Sequence, residues 1–170
     1  ENLTDKERHL SVFSYAMFQL TGCDKNGNGV WKENFTGIHP EIQGVLCTNR
    51  HPSAPTTRFK GYLITLADFH NANGYRDHFT RAEYAVGTPK IIEGWNCDGR
   101  PGYGSDCAGI IQVKLTIPPN GTARADFILG QAADLAEVAA FRSTLSPALL
   151  DRWCDEAAAV EADRADSFKM

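Results

Sequence analysis

The 170-residue sequence contains no uninterrupted apolar run long enough to cross a membrane. Its longest apolar stretches, 10–20 and 61–69, are broken by Ser, Gln, Thr and Asp, whereas a spanning helix needs about 18 apolar residues. The sequence also has no excess of positive charge, because 17 Lys and Arg face 21 Asp and Glu, for a net charge of −4. Nucleic acids and anionic membranes attract basic surfaces, so the sequence predicts neither as a partner.

The common catalytic and metal-binding signatures are missing as well. The five histidines are scattered, without the two-His helical spacing of a zinc enzyme, and no two cysteines form a Cys-x-x-Cys pair. Residues 99–104 (GRPGYG) lack the Lys and Ser/Thr of a phosphate-binding loop, and no Ser-His-Asp or Cys-His pattern is present. The 21 acids offer no carboxylate pair within a motif. The sequence therefore predicts no catalytic residue, metal site or cofactor of its own.

Cysteine usage favours an intracellular protein. Five cysteines, an odd number at irregular spacing, do not resemble the even set of a disulfide framework, so we expect reduced thiols and a cytoplasmic location. Three Asn-x-Ser/Thr sequons, at Asn2, Asn34 and Asn120, would be glycosylation acceptors in a secreted eukaryotic protein. Matches to so short a pattern arise readily by chance, so they weigh little against the cysteines.

The first 130 residues are rich in Gly, Pro, Thr, Asn and aromatics, and their patterns predict strands. Residues 9–20 combine β-branched and aromatic residues with rough alternation, which is typical of a strand buried on both faces, and 58–69 has the same character. Within 110–117, Ile111, Val113, Leu115 and Ile117 alternate with polar residues and predict a half-buried strand. Asn120-Gly121 then predicts a tight hairpin that returns over 122–129.

The last 40 residues contain no Gly and predict helices over 132–141 and 147–163. Ser146 is the expected N-cap of the second helix, with Pro147 at its first position. One face of this helix should pack on the sheet or on another domain. The residues of that face are Leu149, Leu150, Trp153, Cys154 and Ala157. We therefore predict a mainly β fold: an antiparallel β-sandwich over 1–130, then a helical linker over 131–170.

One segment matches the opening of a calcium-binding loop. Residues 24–29 (DKNGNG) place oxygen ligands at positions one, three and five and Gly at position six. The twelfth position, which needs a bidentate Glu, holds Phe35. We therefore interpret this segment as a Gly/Asn turn between strands.

Two polar loops carry candidate binding residues. Residues 71–77 (NANGYRD) predict a loop whose Arg76 could contact a sugar or a partner. Residues 95–106 form a Gly-rich loop, and its Trp95 and Tyr103 could stack on the apolar face of a sugar ring. A solvated loop without a ligand is the simpler alternative in each case.

Six segments, taken in chain order, resemble one protein family. Residues 1–18 (ENLTDKERHLSVFSYAMF) are similar to the N-x-S/T-D-x-x-R-x-L-S-V-x-S-Y-x-E strand in the N-terminal β-sandwich of the cellobiose, cellodextrin and chitobiose phosphorylases. The other matching segments are 32–37 (KENFTG), 75–79 (YRDHF), 106–112 (DCAGIIQ), 115–121 (LTIPPNG) and 127–132 (FILGQA). Met17 replaces the usual acidic residue, and Ala108-Gly109 also departs from the family pattern, which leaves the subfamily and its sugar open.

The resemblance implies an enzyme that breaks a β-glucosidic bond with inorganic phosphate and inverts the anomeric carbon. Its substrate would be a β-linked glucose or N-acetylglucosamine oligosaccharide, and phosphate its co-substrate. In that family the catalytic acid and the phosphate site lie in an (α/α)₆ barrel that follows a helical linker. This chain would then be the later half of the sandwich plus linker helices, a non-catalytic portion of a longer protein.

The sandwich of this family also takes part in a homodimer, and one of its loops approaches the partner subunit's active site. By position this loop is 22–37 here, with Trp31 and Asn34 closest to the sugar, and Arg76 falls where the family has an Arg-and-Phe loop. These residues could instead only stabilise the loop and the dimer. A second function remains open: a free-standing carbohydrate-binding β-sandwich that uses Trp31, Trp95 and Tyr103.

Overall fold

Strands come first and helices last in the computed structural model, which describes residues 1–20, 26, 33–51, 58–80 and 89–167. The strands of this part of the chain are β1 (Arg8–Met17), β2 (Asn34–His39), β3 (Gly44–Asn49), β4 (Lys60–Thr65), β5 (Phe69–Tyr75), β6 (Gly102–Tyr103), β7 (Cys107–Ile117) and β8 (Phe127–Ala132). The α-helices are α1 (Lys90–Gly94), α2 (Leu135–Thr144) and α3 (Pro147–Ser167), and short 3₁₀ helices span Pro40–Ile42 and Arg76–His78.

The strands form two antiparallel sheets. The three-stranded sheet has the order β1-β7-β5 and the five-stranded sheet the order β6-β2-β3-β4-β8. A buried cluster draws Val45 and Leu63 from the larger sheet and Ile111 and Val113 from the smaller one. The predicted fold, a mainly β antiparallel sandwich followed by helices, is confirmed.

The central strand β7 is buried on both faces over 107–113, so the half-buried strand predicted for 110–117 is wrong over 110–113. One face contributes Ile111 and Val113 to the core between the sheets. The other face places Ala108 and Ile110 under Ile91 of α1. Alternation with solvent begins only at Lys114, where this cover ends.

For strand β1 the sequence predicts more burial than the structure shows. It was predicted to be buried on both faces, yet its residues are half-buried or exposed. The reason is its position: in the part of the chain that the structure describes, β1 is an outer strand of the three-stranded sheet and pairs with β7 alone.

The chain passes from one sheet to the other at two places, where the sequence predicts one uninterrupted strand or a hairpin within a single sheet. The predicted strand 58–69 is interrupted, because β4 ends at Thr65 and the Thr65 hydroxyl accepts a 3.0 Å hydrogen bond from Ala67 N–H in the connection to β5. Residues 71–75 then form part of β5, so the loop predicted for 71–77 is wrong over these five residues.

The hairpin predicted after β7 is also wrong, although its turn forms. Asn120 has a positive φ of 50°, and Gly121 N–H donates to the Pro118 carbonyl at 3.1 Å. The chain that leaves this turn does not pair with β7. It crosses to the five-stranded sheet, where β8 pairs with β4 from Lys60↔Ala132 to Thr65↔Phe127.

The two C-terminal helices begin with side-chain caps. Asp134 accepts a hydrogen bond from Glu137 N–H at 2.9 Å at the start of α2, and the predicted Ser146 cap of α3 is confirmed by its 3.2 Å bond from Leu149 N–H. Helix α2 packs on the outer face of the five-stranded sheet through the fully buried Val138. Among the described residues, no helix is long and apolar enough to span a membrane.

Helix α3 leaves most of its predicted apolar face exposed, so packing of that whole face on the sheet is wrong. Leu149 and Leu150 are half-buried, and the Trp153 ring stacks on Phe141 at 6.3 Å between centroids. Beyond this contact Cys154 and Ala157 are exposed. The other alternative, packing on a further domain, remains a prediction.

Three of the cysteines are buried as free thiols. Cys47 and Cys107 lie in the core between the sheets, and Cys97 lies on the outer side of the three-stranded sheet. A hydrogen bond with Cys107 and burial raise the pKa of the Cys47 thiol, and burial raises the pKa of Cys97 to about 12. These two thiols therefore stay protonated at neutral pH.

We expect Val138→Ala to lower the free energy of unfolding by about 1–3 kcal/mol, because it removes two buried methyl groups between α2 and the sheet. Urea unfolding followed by circular dichroism measures the change. Val160→Ala is the matched control, since it makes the same substitution on the exposed part of α3 and should stay within about 0.5 kcal/mol. Equal losses in the two variants would contradict the docking of α2 through Val138.

Candidate functional site

The described candidate residues lie in three separate places on the sandwich. Asn34 and Tyr103 lie together at one edge of the five-stranded sheet. Arg76 follows β5 at one end of the three-stranded sheet, whereas Trp95 is bonded to Gln112 in the middle of β7. Trp31 lies outside the described residues.

The beginning of β2 brings Asn34 next to Tyr103. The Asn34 carbonyl accepts a 2.8 Å hydrogen bond from Gly104 N–H, and the neighbouring Phe35 pairs with Tyr103 across β2 and β6. The Asn34 side chain is fully buried, and its Oδ1 accepts a 3.0 Å bond from Asn49 Nδ2. In this arrangement Asn34 ties β2 to β3 from inside the sandwich, at the point where the segment 22–37 enters the sheet.

Tyr103 instead presents its ring to solvent, with 57% of the residue exposed. Its hydroxyl donates to a Glu33 carboxylate oxygen at 3.0 Å, and this bond raises the pKa of Tyr103. Beside it, the Arg50 guanidinium lies 3.9 Å from the centroid of the Phe35 ring. We call these four residues the Tyr103 face. Glu33 lies within the segment 32–37 selected from the sequence, whereas Arg50 is not identifiable there, because only the pairing of β2 with β3 brings it to this edge.

Arg76 is engaged in ion pairs at the end of β5. Its Nη1 lies 2.9 Å from Asp106 Oδ1 and its Nε lies 3.5 Å from Asp77 Oδ1, while its backbone N–H donates to the Asp106 carbonyl at 2.9 Å. The guanidinium therefore joins the end of β5 to the segment that leads into β7. Nearby, Tyr15 stacks on Phe79 with ring centroids 4.7 Å apart, and burial raises the pKa of Tyr15.

Trp95 follows the short helix α1 in a left-handed conformation, with φ of 51°. This region is uncommon for a residue with a side chain, and least common for a bulky one. The backbone at this point is fixed, because the Trp95 carbonyl accepts a 3.0 Å hydrogen bond from Gln112 Nε2. The indole itself is exposed, with 61% of the residue accessible.

Buried amide side chains hold the segment 95–100 against the outer face of the three-stranded sheet. Gln112 is fully buried; its Oε1 accepts from Cys97 N–H at 2.8 Å, and its Nε2 donates to Ser11 Oγ at 3.0 Å as well as to Trp95. Asn71 Nδ2 donates to the Cys97 carbonyl at 3.0 Å. We call 95–100 the amide-held loop.

Asn73 completes this anchoring. The side chain is buried, and its single Oδ1 accepts hydrogen bonds from three successive backbone N–H groups, those of Asp98 (3.0 Å), Gly99 (3.0 Å) and Arg100 (3.2 Å). Because buried amides that are hydrogen-bonded restrain the backbone they contact, the loop is held at Trp95, at Cys97 and over 98–100.

An open groove of about 650 Å³ lies beside the Trp95 indole. Four polar side chains from two cross-strand pairs line it, His9 with Thr116 and Ser11 with Lys114. His9 Nδ1 lies 3.1 Å from the Thr116 hydroxyl. The rest of the lining is apolar and consists of Leu10, Val12, Leu115 and the indole itself. We call these eight residues the Trp95 groove. The alternation in 110–117 predicts that Lys114 and Thr116 share a face, but it does not predict their partners on β1.

Arg76 and Trp95 do not form one site. Arg76 follows Tyr75, which pairs with Cys107 at the beginning of β7, whereas the Trp95 groove includes Lys114. Seven residues of extended strand separate these positions on β7, roughly 23 Å at about 3.3 Å per residue.

The calcium-like segment 24–29 lies, apart from Asn26, outside the residues that the structure describes. Within those residues, no group of three His, Cys, Asp or Glu side chains is placed to hold a metal ion.

The comparisons with known proteins give the family. A family model described as glycosyl hydrolase 94, supersandwich domain, matches residues 1–147, a range that contains both sheets and helices α1 and α2. A search of curated proteins gives no match. The segments singled out from the sequence all fall inside the matched range, so the resemblance is supported at the level of the family. The chain therefore belongs to the glycosyl hydrolase 94 family and carries its supersandwich domain over residues 1–147.

Proposed function

We propose that this chain is the non-catalytic β-sandwich portion of an inverting glycoside phosphorylase. The observation that carries the proposal is the supersandwich match over residues 1–147. The similarity of six segments to the cellobiose, cellodextrin and chitobiose phosphorylases favours phosphorolysis over hydrolysis. In the parent enzyme, phosphate would attack the anomeric carbon of a β-linked gluco-oligosaccharide while a carboxylic acid protonates the departing oxygen, giving a sugar 1-phosphate and a shortened sugar.

Two acids close in sequence to the candidate residues, Asp98 and Asp106, form ion pairs, and this supports a non-catalytic role for the chain. A general acid for this reaction must be protonated near neutral pH, which requires a raised pKa. Asp98 is held by Arg100 at 2.6 Å, and the hydrogen bond from that guanidinium lowers the pKa of Asp98. Asp106 is paired with Arg76. Both are arranged as structural ion-pair partners, which favours a catalytic acid located elsewhere in the parent enzyme.

The Tyr103 face supports a contribution to dimerisation and to the surroundings of the active site. It combines an exposed aromatic ring, a carboxylate and a guanidinium where the segment 22–37 enters β2. Aromatic and Arg side chains are enriched in protein interfaces. We propose that Trp31 lies close to the sugar of the partner subunit and that Asn34 supports its segment from within the sheet.

The test is a phosphorolysis assay on this chain with cellobiose or chitobiose and inorganic phosphate, together with the reverse reaction from sugar 1-phosphate. We expect no turnover in either direction, because the family resemblance implies that the acid and the phosphate site belong to an (α/α)₆ barrel and not to the sandwich. Turnover by this chain would overturn the non-catalytic assignment. Sedimentation velocity on the same preparation tests the contribution of this chain to the homodimer expected of the parent enzyme, which a purely monomeric boundary would contradict.

A further inference from the structure

We propose that the Trp95 groove is a non-catalytic binding site for a β-linked pyranose oligosaccharide. This site would be additional to the active site of the parent enzyme, and it does not depend on whether that enzyme is a phosphorylase. Three observations carry the proposal: the exposed indole on a fixed backbone, the mixed polar and apolar lining of the groove, and its size.

The indole of Trp95 is exposed and yet its backbone is immobilised. The left-handed φ of 51° places a bulky residue in an uncommon conformation, and the fully buried Gln112 amide holds its carbonyl at 3.0 Å. Uncommon backbone conformations of this kind concentrate at binding sites, where the surrounding structure maintains them. Because the backbone at Trp95 is already fixed, a ligand that stacks on the indole has only the side-chain torsions left to order.

The side chains beside the indole match the chemistry of a sugar ring. A pyranose presents an apolar C–H face, which stacks on an aromatic ring, and a rim of hydroxyl groups, which donate and accept hydrogen bonds. Ser11, Lys114 and Thr116 supply hydroxyl and ammonium groups, and His9 supplies an imidazole, along one wall of the groove.

The size and composition of the groove favour a sugar over a protein partner. Its volume of about 650 Å³ lies in the range of roughly 300–1,000 Å³ that is usual for small-ligand sites. Four of its eight lining residues are polar, whereas a stable protein interface has an apolar centre from which charged residues are depleted. Lys114 lies within this groove instead.

Isothermal titration calorimetry with cellotetraose and with chitotetraose, in the absence of phosphate, tests the proposal. We expect at least one of these probes to bind with a dissociation constant in the millimolar to micromolar range. Trp95→Ala should weaken that binding by about tenfold or more, because the stacking surface is lost. Trp153→Ala is the matched control: it removes the partly exposed indole on α3, outside the groove, and should leave binding unchanged.

Several outcomes would overturn the proposal. These are the absence of binding heat with either probe, equal binding by wild type and Trp95→Ala, and equal weakening in the two Trp variants. A loss of self-association in Trp95→Ala without sugar binding would identify the groove as a contact between copies of the chain instead. Because the titration contains no phosphate and measures no turnover, its failure is distinct from failure of the proposed function.

Discussion

Gly102→Ala should lower the free energy of unfolding by about 3 kcal/mol or more, or prevent folding altogether. A Cβ atom on Gly102 would lie 1.8 Å from the carbonyl oxygen of Gly74, and one on Gly74 would lie 2.5 Å from Gly102 N. These atoms belong to the backbones of β6 and β5, one from each sheet, so neither can move aside as a flexible side chain would. The close approach of the two sheets therefore requires Gly at both positions.

Gly94→Ala is the matched control for this prediction. It makes the same substitution at the end of helix α1, where an added Cβ meets no atom within 4 Å. Since Ala is favoured over Gly in helices, this variant should match the wild type or exceed its stability by up to about 1 kcal/mol. Urea unfolding and the yield of soluble protein measure both variants, and a Gly102→Ala protein as stable as Gly94→Ala would contradict the backbone contact.

The local parts of this fold are predictable from the sequence because their causes are local. The cap at Ser146 depends on residues within one turn, and the positive φ of Asn120 depends on the Asn-Gly pair. The sheet to which each strand belongs has no such local signal. After Thr65 and again after Gly121 the chain changes sheet, although the sequence at both places reads as a continuous strand or a simple hairpin.

The candidate binding surfaces are likewise predictable only where their cause is local in the sequence. Trp95 and Tyr103 can be selected from the sequence because aromatic residues in a Gly-rich segment are unusual, and both are exposed. Asn71 and Asn73 read as a loop because Asn is depleted in strands. In the structure their side-chain amides form hydrogen bonds with the backbone of the amide-held loop. These bonds join residues that are far apart in the sequence, so no local sequence pattern predicts them.

Asn73→Ala is expected to lower the free energy of unfolding by about 2–3 kcal/mol. The substitution removes the one oxygen that accepts the backbone N–H groups of Asp98, Gly99 and Arg100. Groups left without a partner away from water cost about 1–3 kcal/mol each, and solvent that enters the partly exposed loop recovers part of this cost. Chemical denaturation followed by circular dichroism measures the loss.

Asn96→Ala provides the comparison for Asn73→Ala, because it removes an exposed amide of the same loop that makes a 3.1 Å contact with His70. Its free energy of unfolding should change by no more than about 0.5 kcal/mol. Amide hydrogen exchange adds a readout that general destabilisation does not reproduce: in Asn73→Ala, exchange should accelerate at 98–100 under conditions where the core strand β7 stays protected. Uniform acceleration over the loop and β7 would show that Asn73 stabilises the whole sandwich instead of anchoring the loop that presents Trp95.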